Sequence, residues 1–341
     1  MAAAKPALAI DIGGTKIAVG VVEPGGRLVT AARTSTPRNV DGENLWRTVE
    51  SLAVAVLAEA GVKGTGTLAG VGCGCAGPID WPEGRVSPLN IPAWRGFPLR
   101  ARLEKRFTDA PVRLRGDAVC VAVGEHWRGA GRGTSDMLGV VISTGIGGGL
   151  VLDGRLVSGA TGNAGHVGHV VVEPDGPTCG CGGNGCVEAI ASGPALVRWA
   201  QGRGWRSGRK DVSAKDLADD AGRGHHAAQA AMRRGGAALG VAIASVTNLC
   251  DLEVVAIGGG LAQAGPLILD PLEETVRRHA RLGFARNVRV VPASLGQDAG
   301  LVGAAALIFG GDRYWPEELL AQDSVVADSK RAERFQASPG R

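Results

Sequence analysis

The amino-acid sequence predicts an α/β protein of two related lobes, each built on its own sheet, with ligands gathered at the strand ends that face a cleft. Three observations carry this expectation. Apolar strand-like runs alternate with helical stretches along the chain. A layout of strand, glycine turn, strand, hairpin and strand at residues 8–29 returns at residues 138–157. The length of 341 residues exceeds one ordinary small domain and suits two packed ones.

The elements follow in order. A strand at 8–12 meets Gly13-Gly14-Thr15-Lys16, a second strand runs over 17–22, and Pro24-Gly25-Gly26 turns the chain into a third at 27–29. A helix is expected at 42–60, a strand at 69–75, a proline-rich loop at 78–98, a helix at 99–107, a strand at 112–114 and a helix at 118–126. The second half opens with a strand at 138–143, a glycine turn at 144–149, and short strands at 150–152 and 155–157. Helices are then expected at 194–201, 214–221 and 227–246, a strand at 252–257 ending on Gly258-Gly259-Gly260, a strand at 288–292 and a small-residue helix at 299–309. The tail at 312–341 is polar with little periodicity and is expected to be partly mobile.

Composition narrows the function classes. Hydrophobic residues make up 45% and charged residues 21%, as in globular proteins, while many of the 55 glycines cluster beside β-branched runs instead of forming a low-complexity tract. The formal charge is +4 with Lys and Arg dispersed, so a nucleic-acid groove is not expected, an anionic small ligand stays open, and no membrane partner is expected. The sequence has no apolar run of roughly 20 residues and no charged region ahead of its first apolar run, which together imply a cytoplasmic protein. Seven cysteines argue against a disulfide framework there.

The chemistry concentrates in a few segments. A glycine cluster after a strand lets backbone N–H groups approach an anion, and Asp11, Gly13, Gly14, Thr15 and Lys16 add a carboxylate, a hydroxyl and an ammonium. Each such cluster alone also reads as a plain tight turn; three after three strands favour phosphate. The chain has no Gly-Lys dipeptide, hence no Walker A loop, and Gly13-Gly14 opens a strand, which is wrong for a dinucleotide fingerprint. Cys179, Cys181 and Cys186 with His169 upstream supply three thiolates and an imidazole, the set for a closed tetrahedral zinc, with free thiols as the alternative. Cys73, Cys75, Cys120 and Cys250 read as small core residues, and His225, His226 and His279 as solvated.

In sequence order, Asp11-Ile12-Gly13-Gly14-Thr15-Lys16, Ser143-Thr144-Gly145-Ile146-Gly147-Gly148-Gly149, Cys179-Gly180-Cys181-Gly182-Gly183-Asn184-Gly185-Cys186-Val187-Glu188 and Ile257-Gly258-Gly259-Gly260 resemble the ROK family over residues 8–308. That resemblance implies a two-lobed actin-like (ribonuclease H-like) fold with a mixed sheet in each lobe and a structural zinc knuckle. The lobes are expected at 1–122 plus 298–311 and at 123–297. It implies an ATP- and magnesium-dependent kinase acting on the 6-hydroxyl of a hexose, assembled as a homodimer or homotetramer. The turns containing Asp11 to Lys16 and Thr144, Gly145 and Gly147 would hold the phosphates, Asp11 would lie near magnesium, and Gly258, Gly259 and Gly260 would flank the adenosine. Asp117 matches the catalytic base, and Asn90, Gly116, Asp117, His166, His169 and Glu188 match positions at the sugar. Without the resemblance Asp117 reads as a helix cap, Asn90 as a turn residue and Glu188 as a first-turn acid. The family's repressors carry a winged helix-turn-helix ahead of the first glycine motif; here that motif begins at residue 11, which disfavours DNA binding.

The chain departs from the family pattern beside the base. Gly116 and Val119 stand where asparagines are usual, and His166 where a glutamate is usual. An acceptor becomes a group that can also donate. The expected substrate therefore includes, besides glucose, an amino or N-acetyl sugar such as 3-amino-3-deoxyglucose (kanosamine) or N-acetylmannosamine. A catalytically weak sugar sensor is the reading of another class.

Overall fold

Val-, Ile- and Leu-rich runs bounded by glycine fold as strands, and the computed structural model, which describes residues 4–209 and 211–316, gathers them into two five-stranded sheets. The chain passes through β1 (Ala7–Ile12), β2 (Lys16–Val22), β3 (Leu28–Ser35), α1 (Gly42–Glu59), β4 (Gly70–Cys75), the hairpin β5 (Ile79–Asp80) and β6 (Arg85–Val86), α2 (Leu99–Arg106) and β7 (Val112–Gly116). Helix α3 (Asp117–Arg128) leads to β8 (Met137–Ile142), β9 (Ile146–Leu152) and β10 (Arg155–Leu156). There follow α4 (Val187–Ala191), α5 (Gly193–Gln201), α6 (Ala214–Gly222), α7 (His226–Cys250), β11 (Val254–Gly258), α8 (Pro266–His279), β12 (Arg289–Pro292) and α9 (Ala299–Phe309).

The sheets run β3-β2-β1-β4-β7 and β10-β9-β8-β11-β12. In both, the middle strand pairs antiparallel with its successor and parallel with a later strand: β1 with β2 and β4, β8 with β9 and β11. One mixed-sheet plan is thus used twice, which is the physical content of the repeated layout in the sequence.

Glycines set the spacing between layers. A Cβ on Gly72 would collide with the Ala304 carbonyl, one on Gly303 with the Cys120 carbonyl, and one on Gly124 with the Ala299 carbonyl, so α9 can lie directly on β4 and across α3. Gly139, Gly147 and Gly149 admit the other side of α3, where Ala118, Val119 and Ala122 press onto β8 and β9. The buried Glu125 of α3 accepts from the backbone N–H of Ala130 at 2.8 Å, Ser294 at 3.0 Å and Leu295 at 2.8 Å. It thereby fixes the chain that returns into α9.

Several expectations are corrected. The run at 144–149 is not all turn: β9 begins at Ile146, and Gly147 to Gly149 pair with β8, α3 leaving no room for a side chain at Gly147 or Gly149 and Val167 with the Gly139 carbonyl none at Gly148. Strand β3 extends to Ser35, and the proline-rich loop holds the β5–β6 hairpin. Helix α8 is not among the expected elements, and its sequence carries two prolines, Pro266 and Pro271, of the kind that ordinarily break helices. Pro266 instead occupies the first turn, and Ile268, Leu272, Thr275 and Val276 form a buried face that packs on α7. The expected tail at 312–341 is ordered at its start, since Tyr314 and Trp315 are buried; residues 317–341 lie outside the described residues. Among the described residues no helix is long and apolar enough to cross a membrane.

Candidate active site

The first glycine turn joins β1 to β2 and is closed by the Gly13 N–H donating to the Lys16 carbonyl at 2.9 Å. Thr36 anchors it from behind: its hydroxyl donates to the Gly13 carbonyl at 2.6 Å and its N–H to the Thr15 carbonyl at 3.0 Å. The Asn90 side chain lies against Gly14, in the space any Cβ there would need. The loop presenting Asn90 is pinned on both sides. Ile91, Trp94 and Phe97 are buried in the first lobe, Trp94 stacks on Phe97 with centroids 4.5 Å apart, and the Trp94 indole donates to the Gly42 carbonyl at 3.0 Å.

Asp117 opens α3, and its carboxylate comes to the same turn, with Oδ2 3.8 Å from a Cβ built on Gly13. Its Oδ1 accepts from the Ala118 N–H at 2.8 Å. Burial raises its pKa, partly offset by that backbone donor. Asp11, at the end of β1, is pushed up to about 7, first by burial and then by the Asp117 charge, against the opposing pull of Lys16 and Arg33. Two carboxylates with raised pKa values beside one glycine turn form a site that favours a cation or a proton.

The second turn joins β8 to β9, with the Ser143 N–H donating to the Gly145 carbonyl at 2.8 Å. It faces the first turn across the cleft. The hydroxyls of Thr15 and Thr144 are 3.3 Å apart, within hydrogen-bonding distance. Glu188, in the first turn of α4, reaches this turn: its Oε2 accepts from the Ile146 N–H at 2.8 Å and sits where a Cβ on Gly145 would go. From Ser143 and Thr144 a cleft of about 990 Å³ runs past Gly260, Leu261, Pro194 and Lys215, with Arg38 reaching in from the first lobe. Gly260 is on its wall. Gly258 and Gly259 lie behind it, near Ala293 and Ile142, and Gly259 at φ +93° combines a left-handed backbone with a contact that excludes any Cβ.

His169, Cys179, Cys181 and Cys186 offer ligand atoms all within 4.8 Å of one another. The His169 Nδ1 to Cys179 Sγ and the Cys181 Sγ to Cys186 Sγ distances are both 3.7 Å. Tetrahedral zinc with ~2.3 Å bonds to sulfur needs sulfur atoms roughly 3.8 Å apart, so the donors fit such an ion. Gly182 and Gly185 take left-handed conformations that turn the loop between the cysteines, and Glu173 beside it is held by Arg234 of α7 at 2.7 Å. His166 stacks near His169 with centroids 6.1 Å apart, its Nε2 3.7 Å from a Cβ built on Gly77.

The structure thus brings Asp11, Gly13, Gly14, Thr15, Lys16, Asn90, Asp117, Thr144, Gly145 and Glu188 around one pair of turns, and His166 beside the cysteine–histidine cluster. Gly147 is packed under Ala118 of α3. Gly116 and Val119 are neighbours, a Cβ on Gly116 lying 3.4 Å from Val119 Cγ2, and Val119 is buried against β9. Thr36, Glu125, Arg38 and Lys215 are residues that no sequence expectation names. None belongs to a motif, although Thr36 carried the one available signal, a hydroxyl just past a strand that pairs with the turn.

Fold and site define an α/β protein of two mixed sheets whose two glycine turns meet beside a pair of buried carboxylates. The chain belongs to the ROK family, whose model matches residues 7–310. It is 36% identical to the glucokinase of Thermotoga maritima over 315 residues, covering 88% of this chain and 96% of that one. It is 35% identical to an N-acetylmannosamine kinase of Yersinia pestis, over 87% and 96% of the two chains. The crystal structure of a ROK family glucokinase from Streptomyces griseus, in complex with glucose and AMPPNP, superposes with a TM-score of 0.77 at 34% identity, covering 90% of this chain and all of that one.

Proposed function

We propose that this chain is an ATP-dependent sugar kinase that transfers the γ-phosphoryl group to the 6-hydroxyl of a hexose, with Asp117 as general base. The observation that carries the reading is the meeting of the two turns, Thr15 against Thr144 at 3.3 Å, with the Asp117 carboxylate at the same place. The two glycine turns, at residues 14–16 and 144–145, with the Lys16 ammonium, receive the phosphates, and the nucleoside extends along the cleft past Gly260. Asn90 and the free edge of Glu188 orient sugar hydroxyls. Asp117 takes the 6-hydroxyl proton as the new O–P bond forms and the bond to the ADP oxygen breaks. Its raised pKa suits this base role, since a carboxylate near its usual value would accept a proton poorly.

The family membership, the glucokinase relatives and the glucose and AMPPNP complex of the Streptomyces griseus protein support this reading. Asp11 would hold magnesium, which supplies positive charge to the phosphates when bound and relieves the repulsion between Asp11 and Asp117. His169, Cys179, Cys181 and Cys186 would hold a zinc with no open coordination position, hence a structural one. Glu188, two residues after Cys186, carries that rigidity to the second turn. Assembly as a homodimer or homotetramer belongs to the same proposal and is read by light scattering.

An amino or N-acetyl sugar is the second reading of the substrate. Val119 faces the protein core and makes the Gly116 side of Asp117 apolar, while His166 presents a ring nitrogen where a carboxylate is usual. ADP release across glucose, mannose, N-acetylmannosamine and 3-amino-3-deoxyglucose separates these. Turnover with at least one is expected; sugar binding with no turnover for any would favour the sensor.

A further inference from the structure

Arg115, two residues before Asp117 on β7, is 2% exposed. Among the described residues no carboxylate pairs with it. Its guanidinium lies against two indoles instead, 5.0 Å from the Trp81 centroid and 4.6 Å from that of Trp315, and the two rings meet edge to face at 5.3 Å. It also donates to the Ser158 hydroxyl at 3.1 Å. Each partner comes from a different segment. Trp81 belongs to the proline-rich stretch that carries Asn90. Ser158 begins the loop that ends at His166, and in that loop Gly162, at φ +74°, fits closely against both Arg115 and Trp81. Asn163 fastens the two loops together, accepting from the Ile79 N–H at 3.1 Å and donating to the Ile79 carbonyl at 2.9 Å.

Trp315 comes from the short segment after α9, beyond the 7–310 span of the family model. Its neighbour Tyr314 donates to His126 Nδ1 at 2.7 Å, while His126 Nε2 donates to the Thr134 carbonyl at 2.8 Å. The segment therefore holds the last turn of α3 through Tyr314 and the strand feeding its first residue, Asp117, through Trp315. This arrangement is not the one stability alone would select. A buried cation lacks a counter-charge, and Arg115 Nε, Trp81 Nε1 and Trp315 Nε1 make no hydrogen bond among the described residues. An apolar cluster of equal volume would be at least as stable.

We propose that Arg115 and Trp315 are positioning residues, and that the segment ending in Trp315 braces the Asn90 loop, the His166 loop and Asp117 into one sugar-facing wall. The inference rests on the sugar-kinase reading and deepens it. Trp315→Ala should raise KM for the sugar about tenfold while KM for ATP changes less than about twofold, and Trp315→Phe, which keeps a ring face for the guanidinium, should restore the sugar KM to within about threefold. A folded Trp315→Ala with unchanged sugar KM, or with equal rises in both KM values, would overturn the brace. If Trp315→Ala fails to fold by circular dichroism, Arg115→Met decides: a selective rise in sugar KM supports the brace and a wild-type value overturns it. Wild-type protein that binds sugar without turnover would instead overturn the kinase reading, and the same comparison is then made with sugar and ATP dissociation constants.

Discussion

Asp11 and Asp117 approach the same glycine turn, and burial is the main cause of the raised pKa of each, yet they carry different predictions. Replacing Asp117 with Asn keeps the shape and the contact to the Ala118 N–H region but removes the proton acceptor. Turnover should fall by about 10²–10⁴-fold with sugar binding retained, measured by ADP release and by calorimetry. Asp11 acts on stability. Without nucleotide or divalent cation, it binds its proton more tightly folded than unfolded. Its contribution is therefore fully present below its ordinary value of 3.8 and is lost as pH rises through about 7. Asp11→Asn should abolish this slope, so that its Tm exceeds that of wild type by about 2–4 °C at pH 8, and the difference should shrink towards pH 4. A constant difference across the range would mean that Asp11 is not the titrating group.

At the scale of elements, two features hold the turns in register. The cluster of His169, Cys179, Cys181 and Cys186 is linked through Cys186, Val187 and Glu188 to the Ile146 N–H of the second turn. With the proposed zinc bound at this cluster, Cys186→Ser, or chelation at neutral pH, should release metal measurable with a colorimetric chelator and weaken both sugar and ATP affinity. Loss of metal with both affinities intact would uncouple the cluster from the turn. The second feature is the close crossing of α3 and α9 on β4. Gly303→Val puts branched carbons where the Cys120 carbonyl already sits and should destabilise the protein by more than about 3 kcal/mol in urea unfolding. The exposed Gly208, with open space around its Cβ position, should tolerate Ala with little change.

For the whole molecule, what was legible in the sequence was whatever depends on local pattern. The repeated hairpin layout gave both sheets because residues 8–29 and 138–157 each encode three neighbouring strands, and the C-x-C-x4-C spacing gave the cluster because its ligands lie close in the chain. What stayed hidden depends on contacts between distant segments. The reason for glycine at 147 and 149 is the approach of α3, which sequence spacing does not reveal. Pro271 in α8 is tolerated because the helix packs against glycines of α7, and Trp315 looked like part of a polar tail because its partners, Arg115 and Trp81, lie some 200 residues or more upstream.

If the opposed turns hold the triphosphate while Asp117 activates a sugar hydroxyl, the γ-phosphoryl group must end on the sugar. The decisive experiment incubates the protein with γ-labelled ATP and the best sugar of the panel, then resolves the labelled products for wild type and Asp117→Asn. Label is expected on the 6-oxygen of the sugar with wild type and almost none with Asp117→Asn. Label released only as inorganic phosphate, or equal sugar phosphorylation by both proteins, would overturn the assignment.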